Sequence, residues 1–164
     1  MQIFYGIFAM DIDIPGYGKL RMRHVVMDYN GTLAVDGRLV DGVKDALNRL
    51  AGDMALHVIT ADTFGLAAEG LRGVDCGLRV LTGEDHAGEK RDFVNALGAK
   101  ETVSIGNGRN DRRMLEASAL GIAVVLAEGA AVETVMAADI VCTSILSALG
   151  LLENPMRLKA TLRS

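Results

Sequence analysis

Short apolar stretches alternate with segments of helical periodicity along most of the chain. The apolar stretches are rich in Val, Ile and Leu and are bounded by Gly, Asp, Asn or Thr, which is typical of strands buried on both faces of a sheet. They are His24–Asp28, Leu56–Thr60, Leu78–Thr82, Val103–Gly106, Ile122–Leu126 and Ile140–Cys142. This succession predicts an α/β fold with a doubly wound parallel sheet and helices on both faces.

Apolar residues between these strands recur three or four positions apart, and glycines mark the helix ends. One helix is expected between Asp41, a predicted N-cap, and Gly52, with apolar positions at Val43, Ala46, Leu47 and Leu50. A second includes Phe93, Val94 and Leu97 and stops at Gly98. Further helices are predicted over residues 63–71, 111–120, 130–138 and 145–163, the last broken near Asn154-Pro155.

The segment before the first strand has a different pattern. Apolar residues at positions 12, 14, 20 and 22 alternate with polar ones about residues 15–18, which predicts an antiparallel hairpin. No repeat or linker interrupts the rest, so we expect an extension and hairpin over residues 1–21 and a single domain over 22–164. The apolar opening MQIFYGIFAM lacks the basic residue that begins a secretory signal, and we interpret the part before Met10 as a start-site extension.

Composition excludes several classes of protein. Half of the 164 residues are hydrophobic, which excludes intrinsic disorder, and a net charge of −4 gives no sign of a nucleic-acid partner. The mean hydropathy is +0.26, yet no apolar run reaches the roughly 18 residues of a membrane span, so no membrane partner is expected.

Cys76 and Cys142 have no C-x-x-C spacing and are expected to be buried thiols of a cytoplasmic protein. His24, His57 and His86 are scattered, so we expect no zinc site.

Polar residues follow several of the predicted strands, where ligands of such sheets bind. In HVVMDYNGT, Asp28 ends a strand and precedes Asn30, Gly31 and Thr32. A carboxylate there could be a nucleophile toward phosphorus or a metal ligand, whereas Asn-Gly could equally be a hairpin turn. In LHVITADT, the Thr60 hydroxyl suits an anionic phosphate, or caps the next helix.

Two later segments complete this set of candidates. Lys90, in HAGEKRDFV, is either a surface lysine or a cation that reaches a phosphoryl group. In VSIGNGRNDRRML, two glycines surround Asn107, and Asp111 follows four residues later. That segment is either a metal-binding loop or a glycine turn with Asp111 as helix cap. It is neither a P-loop nor a dinucleotide-binding loop, because both spacings are absent.

Taken together, these segments resemble the motifs of the haloacid dehalogenase-like superfamily of phosphoryl-transfer enzymes. Its pattern is D-x-D-G-T, a strand ending in Thr or Ser, a Lys, and G-D-G-x-N-D, and this chain has DYNGT, VITAD, Lys90 and GNGRND. The resemblance covers residues 22–152 and implies a Rossmann-like sheet. Within the superfamily, GNGRND and AADIVCTSI most resemble the phosphorylation domain of P-type ATPases and the small soluble proteins similar to that domain.

The resemblance implies a role for each candidate. Asp28 would attack phosphorus and form an aspartyl phosphate that water later hydrolyses. Mg²⁺ would be held by Asp28, the Asn30 carbonyl and the acidic loop, either Asn107 or Asp111. The phosphoryl group would be bound by residues that follow the first two strands, by the lysine and by the loop: Gly31, Thr32, Thr60, Ala61, Lys90 and Asn110.

Two departures from the pattern bear on activity. Hydrolases of the superfamily usually have an Asp at the position of Asn30, where it acts as general acid and base. An amide cannot shuttle that proton, so we expect slow turnover of alkyl phosphates, by a factor of about 10²–10⁴. Asn107 replaces an Asp of the loop, and we expect weaker magnesium affinity because one negative charge is lost.

The spacing between the motifs leaves no room for a cap domain. Only a short flap fits between Asp28 and Thr60, and a helix and strand between Thr60 and Lys90. We expect a capless homo-oligomer whose neighbour covers the site, acting on a phosphorylated small molecule or macromolecule. The sequence thus favours a magnesium-dependent phosphatase or phosphotransferase. The alternatives are a regulatory protein that binds phosphate and magnesium without turnover and, less favoured, a nucleotide-binding module.

Overall fold

The computed structural model of the chain describes residues 9–62 and 65–164. Residues 1–8 of the suggested start-site extension lie outside the described residues, as do the first two residues of the helix predicted over 63–71. Strands β1 (Met10–Ile14) and β2 (Gly18–Met22) form the predicted antiparallel hairpin, with Ile12 opposite Leu20. Leu20 and Met22 are buried and join the main core.

A parallel sheet of six strands forms the centre of the fold. The remaining strands are β3 (His24–Met27), β4 (Ala34–Val35), β5 (Arg38–Leu39), β6 (Ala55–Thr60), β7 (Gly77–Val80), β8 (Thr102–Gly106), β9 (Leu120–Val124) and β10 (Ile140–Cys142). The order across the main sheet is β10-β9-β8-β3-β6-β7, and β4 pairs with β5 separately. Every pairing in the main sheet is parallel, which confirms the predicted doubly wound sheet.

Helices cover both faces of this sheet. They are α1 (Val43–Leu50), α2 (Leu66–Gly70), α3 (His86–Leu97), α4 (Arg112–Ala117), α5 (Val132–Ala137), α6 (Ile145–Glu153) and α7 (Pro155–Leu162). Side chains alternate between the two faces along each strand, so the sheet divides the core in two. Val25 and Met27 pack with residues of α1, α6 and α7, whereas Val26 packs with residues of α3 and α4.

The flap between β3 and α1 is made by β4 and β5. Its two-residue loop is Asp36-Gly37, with φ of 51° and 77°. Asp-Gly is a favoured pair for such a tight hairpin because both positions need left-handed backbone. The hairpin turn is therefore at Asp36-Gly37, and the alternative that placed it at Asn30-Gly31 is wrong.

No cap domain is inserted in the described part of the chain. Between Asp28 and Thr60 it forms only the flap and α1, and between Thr60 and Lys90 only α2 and β7. The expected capless fold is confirmed. None of the helices formed by the described residues is both long enough and apolar enough to cross a membrane.

The prediction that every strand is buried on both faces was wrong for the two outermost strands, β7 and β10. All four residues of β7 are exposed, and Leu78 and Val80 are 36% and 45% exposed. Val141 of β10 is 47% exposed. Each of these strands has a single neighbour in the sheet, so one side of it stays open. Strand order, which decides this, depends on contacts distant in sequence.

Some predicted ends and burial states also differ. Gly42, not Asp41, is the N-cap of α1, and its left-handed backbone, with φ of 85°, favours a glycine at this position. The helix predicted over 111–120 ends at Ala117, and the N–H of Ala119 instead donates to carbonyls outside that helix.

Cys76 and Cys142 are half-buried rather than buried, and burial raises the pKa of both thiols. The predicted break at Asn154-Pro155 separates α6 from α7 and is confirmed.

Candidate active site

Three candidate residues lie at the carboxyl ends of adjacent strands. Asp28 follows β3, Thr60 ends β6 and Asn107 follows β8, and β3 lies between the other two in the sheet. The Asp28 N–H donates to the Ile105 carbonyl at 3.1 Å, which continues the ladder by one residue. These side chains are therefore held by the most enclosed part of the sheet.

Lys90 connects the two buried carboxylates of the site. Its Nζ lies 2.7 Å from Asp28 Oδ1 and 2.7 Å from Asp111 Oδ1. The Lys90 and Asp111 side chains have no exposed surface, and that of Asp28 is 10% exposed. The alternative in which Lys90 is a surface lysine is wrong, since its side chain extends from α3 to Asp28 after β3 and to Asp111 of the acidic loop and is fully buried.

The cluster contains more negative than positive charge when both carboxyls are ionised. Burial raises the pKa of Asp28 to about 7, and Asp111 adds to the rise, whereas Lys90 opposes it. Burial by itself lowers the pKa of Lys90, but Asp111 and Asp28 together outweigh burial and raise it. Lys90 thus stays charged, and a cluster with both carboxyls ionised would carry one net negative charge.

Asp111 holds the acidic loop in place. Its Oδ2 accepts hydrogen bonds from the N–H groups of Asn107 and Gly108, at 3.0 and 2.9 Å, while Oδ1 faces Lys90. A Cβ at Gly106 would lie 2.6 Å from the Asp111 side chain, which explains the glycine. Asp111 occupies the N-cap position of α4, but its side chain makes no cap hydrogen bond to that helix and instead braces the turn and contacts Lys90.

Asn107 and Thr32 lie beside Asp28. The Thr32 hydroxyl lies 3.2 Å from Asn107 Oδ1 and 3.4 Å from Asp28 Oδ2, and its single hydrogen serves one of them at a time. Asn107 Nδ2 donates to the Gly129 carbonyl at 3.0 Å, which fixes the amide orientation. A side chain at Gly31 would collide with Asn107, so the glycine permits this close approach.

The other predicted site residues are placed near this cluster without bonding to it. Thr60 is buried, and its Oγ1 accepts from the Asp62 N–H at 3.2 Å. Gly65, not Thr60, is the N-cap of α2, so the capping alternative for Thr60 is wrong. Among hydrogen bonds between described residues, none joins Thr60, Ala61 or Asn110 to Asp28, Lys90 or Asp111. Asn30 follows Asp28 by two residues and is exposed.

Tyr29 is part of the site's framework and was not singled out from the sequence. Its ring is fully buried, and its hydroxyl lies 3.2 Å from the Gly37 carbonyl and 3.4 Å from the Leu66 carbonyl. It thereby ties the flap to the start of α2. The only sequence signal was an aromatic residue directly after a strand-terminal Asp.

The oxygen atoms beside Asp28 fit a hard divalent cation. Asp28 and Asn107 are 7% and 8% exposed, and an oxygen of each contacts the Thr32 hydroxyl, so the two side chains lie close together. Oxygen donors with a residual negative charge are the ligands that Mg²⁺ prefers. Within residues 9–62 and 65–164 no group of three or more His, Cys, Asp or Glu side chains is placed to hold a metal. A metal at this site would therefore depend partly on amide or carbonyl oxygens.

Several solved structures similar to this chain are described as phosphatases. The cobalt-bound deoxy-D-mannose-octulosonate 8-phosphate phosphatase of Haemophilus influenzae has a TM-score of 0.68 and 14% sequence identity, with 87% of this chain and 94% of that chain covered. The 3-deoxy-D-manno-octulosonate 8-phosphate phosphatase of Moraxella catarrhalis, in complex with magnesium, phosphate and KDO, has a TM-score of 0.63 and 18% identity, with the same coverage of 87% and 94%. The chain has the haloacid dehalogenase-like fold that its motifs implied. The closer resemblance to P-type ATPases stays a prediction.

Two curated relatives come from Methanocaldococcus jannaschii. Uncharacterized protein MJ0073 is 48% identical over 64 residues, which cover 39% of this chain and 69% of that protein. Uncharacterized protein MJ0072 is 38% identical over 39 residues, 24% of this chain and 89% of that protein. The chain belongs to the same family as MJ0073. No family model matches it.

Proposed function

We propose that the chain is a metal-dependent phosphatase or phosphotransferase that works through an aspartyl phosphate on Asp28. The observation that carries this proposal is the contact of buried Lys90 with both Asp28 and Asp111, at 2.7 Å each. Such buried charges are a poor means of stabilising a fold, because desolvation offsets their attraction. A fixed cation beside a carboxylate does suit a reaction in which charge develops on phosphoryl oxygens.

In the proposed reaction, Asp28 acts as nucleophile. Its Oδ2, the oxygen that Lys90 does not hold, forms a bond to phosphorus in line with the bond to the leaving-group oxygen. That second bond breaks, and its electron pair stays on the leaving group, which takes a proton from solvent. Water then attacks the phosphorus of the aspartyl phosphate, which releases inorganic phosphate and restores the Asp28 carboxylate.

The surrounding residues would bind and orient the phosphoryl group. Lys90 would compensate part of its charge, and the Thr32 and Thr60 hydroxyls would donate to its oxygens. Gly31, Ala61 and Asn110 are placed in the adjoining loops and would complete the cradle. Asp111 would act as a positioning residue, because both of its oxygens already hold Lys90 and the loop.

The divalent cation that we propose is Mg²⁺. Asp28, the Asn30 carbonyl and Asn107 would hold it, and when bound it supplies charge neutralisation to the phosphoryl oxygens. Asn107 is favoured over Asp111 as direct ligand, since the Asp111 carboxylate is fully enclosed by its existing partners. The lost charge at Asn107 supports an affinity for Mg²⁺ lower than that of a site with three carboxylates.

Asn30 supports a slow second step. It cannot activate the water that hydrolyses the aspartyl phosphate, so the phosphoenzyme should accumulate with substrates that have good leaving groups. Long phosphoenzyme lifetime would also agree with the proposed similarity to P-type ATPases. The same observation favours a second candidate, a regulatory protein that binds phosphate and Mg²⁺ without turnover.

A time course of phosphate release and of phosphoenzyme formation tests these proposals. Acetyl phosphate and phenyl phosphate are used with and without Mg²⁺, on the wild type, Asp28→Asn and Asn30→Asp, with exposed Asp53→Asn as the control. We expect release to require Asp28 and Mg²⁺, and Asn30→Asp to hydrolyse the phosphoenzyme about 10²–10⁴-fold faster. If the wild type releases phosphate no faster than Asp28→Asn does, the proposed enzyme activity is refuted and the regulatory protein without turnover is favoured.

A further inference from the structure

A cavity of about 390 Å³ lies between the start of α3 and the turn that precedes α4. Three arginines, Arg109, Arg112 and Arg113, contribute to its lining together with Asn110 and Ala87. Among these residues, only Asn110 is predicted by the sequence motifs to bind the phosphoryl group. Cavities of this size fit a small metabolite rather than a macromolecule.

The cavity adjoins the Lys90 cluster along two segments of chain. Ala87 lies three residues before Lys90 on α3, so both residues face the same side of that helix. Asn110 directly precedes Asp111, which contacts Lys90 at 2.7 Å. A substrate whose phosphoryl group sat at Asp28 could therefore extend its leaving group toward the cavity.

The arginines of the cavity are loosely paired. Arg113 lies 3.5 Å from Asp85, and Arg112 lies 3.5 Å from Glu133 and 3.8 Å from Glu116. These separations are longer than a strong charge-assisted hydrogen bond, which is about 2.7–2.9 Å. A guanidinium group has several N–H donors in a planar fork, so both arginines retain donors for an incoming anion.

Arg109 contributes less to a fixed site. It lies 3.1 Å from Glu133, but its side chain is 82% exposed, against 39% and 41% for Arg112 and Arg113. The lining also contains Glu84, Asp85 and Glu133, so its acidic residues equal the three arginines in number. The cavity is therefore suited to a single anionic group that exchanges with these carboxylates, not to a polyanion.

We infer that this cavity binds an anionic group on the leaving-group side of the substrate, so that the site prefers phosphomonoesters with a second negative charge. The inference rests on the proposed function for the position of the phosphoryl group. Arg112 and Arg113 are the residues that confer the preference, by hydrogen bonds to a carboxylate or phosphate of the leaving group.

Two matched compounds test the preference, phenyl phosphate and 4-carboxyphenyl phosphate, which differ by one carboxylate. Steady-state kinetics compare wild type with Arg112→Met/Arg113→Met, and the exposed pair Arg49→Met/Arg72→Met is the control. We expect the wild type and the control to have a kcat/KM about tenfold higher for the carboxylated compound, mainly through KM. In Arg112→Met/Arg113→Met the ratio should fall toward one.

Calorimetric titration of the same compounds separates this inference from the proposed function, because it needs no turnover. Suppose that neither compound releases phosphate but the carboxylated one binds about tenfold tighter, and only when Arg112 and Arg113 are present. That result supports the anion-binding role of the cavity and counts against the proposed enzyme activity. Equal affinity and equal kcat/KM for the two compounds in wild type would overturn the inference. So would an equal loss of preference in the Arg49→Met/Arg72→Met control.

Discussion

Replacing Lys90 with methionine should destabilise the protein strongly. Met is close to Lys in length and fits the buried path of its side chain, so the change removes the charge with little loss of packing. Asp28 Oδ1 and Asp111 Oδ1 each lose a partner at 2.7 Å and remain buried close to one another. Removing one partner of a buried ion pair costs about 3–5 kcal/mol. For a chain of this size, that corresponds to a fall in Tm of about 6–20 °C.

Urea and thermal unfolding measure this effect, in EDTA so that bound cations make no contribution. The loss should be larger at about pH 8 than at about pH 5.5, because protonation of Asp28 at the lower pH removes its unpaired buried charge. Without Lys90 the pKa of Asp28 rises above its present value of about 7. The folded variant then binds more protons than the unfolded one, so its stability increases as the pH falls.

A matched surface variant and a second-site variant make the test specific. Lys100→Met, at an exposed position, should change stability by less than about 0.5 kcal/mol. Lys90→Met/Asp111→Asn should recover part of the loss, because the asparagine oxygen still accepts from the loop N–H groups and no second carboxylate faces Asp28. A cost below about 1 kcal/mol for Lys90→Met, or no recovery in the double variant, would refute the argument from buried charge.

Further predictions concern groups near the site and in the sheet. Asn107→Asp should bind Mg²⁺ more tightly by calorimetry, yet lose the hydrogen bond to Gly129 and speed amide exchange in that loop; unchanged exchange would contradict this. Tyr29→Phe should lose about 0.5–1.5 kcal/mol in urea unfolding, and no loss would show that its hydroxyl bonds are unimportant. Burial lowers the pKa of His24 and of His57, so these two side chains bind fewer protons in the folded state and their contribution to stability falls as the pH drops below about 6.5. His57→Leu should reduce that fall, and an unchanged pH profile would count against it.

The sequence predicted the sheet well because its signals are local. Runs such as His24–Asp28 and the stop at Gly98 need only neighbouring residues to be recognised, and the structure places β3 and the end of α3 there. The exposure of β7 could not be predicted in this way. Whether Leu78 is buried depends on β7 being outermost, which is a property of strand order.

The residues of the candidate site likewise fall into two groups, those that local sequence patterns predict and those that depend on contacts distant in sequence. The positions of Asp28 and Asn107 at strand ends followed from the pattern of strands, and the sheet brings them together. The burial of Lys90 did not follow, since a lysine at the start of an amphipathic helix usually faces solvent. Tyr29 and the arginines of the cavity were missed because their partners are distant in sequence or belong to loops without a distinctive motif.

The Lys90 cluster also bears on the order of events in folding. Lys90 is 62 residues from Asp28 and 21 from Asp111, so its contacts close only after β3, α3 and the loop after β8 have been brought together. Contacts between distant residues require loop closure before they form, and these also require that three separate elements already be in place. We expect the cluster to be absent from the folding transition state. Lys90→Met should then leave the refolding rate nearly unchanged and accelerate unfolding, which gives the cluster control over how long the native state persists.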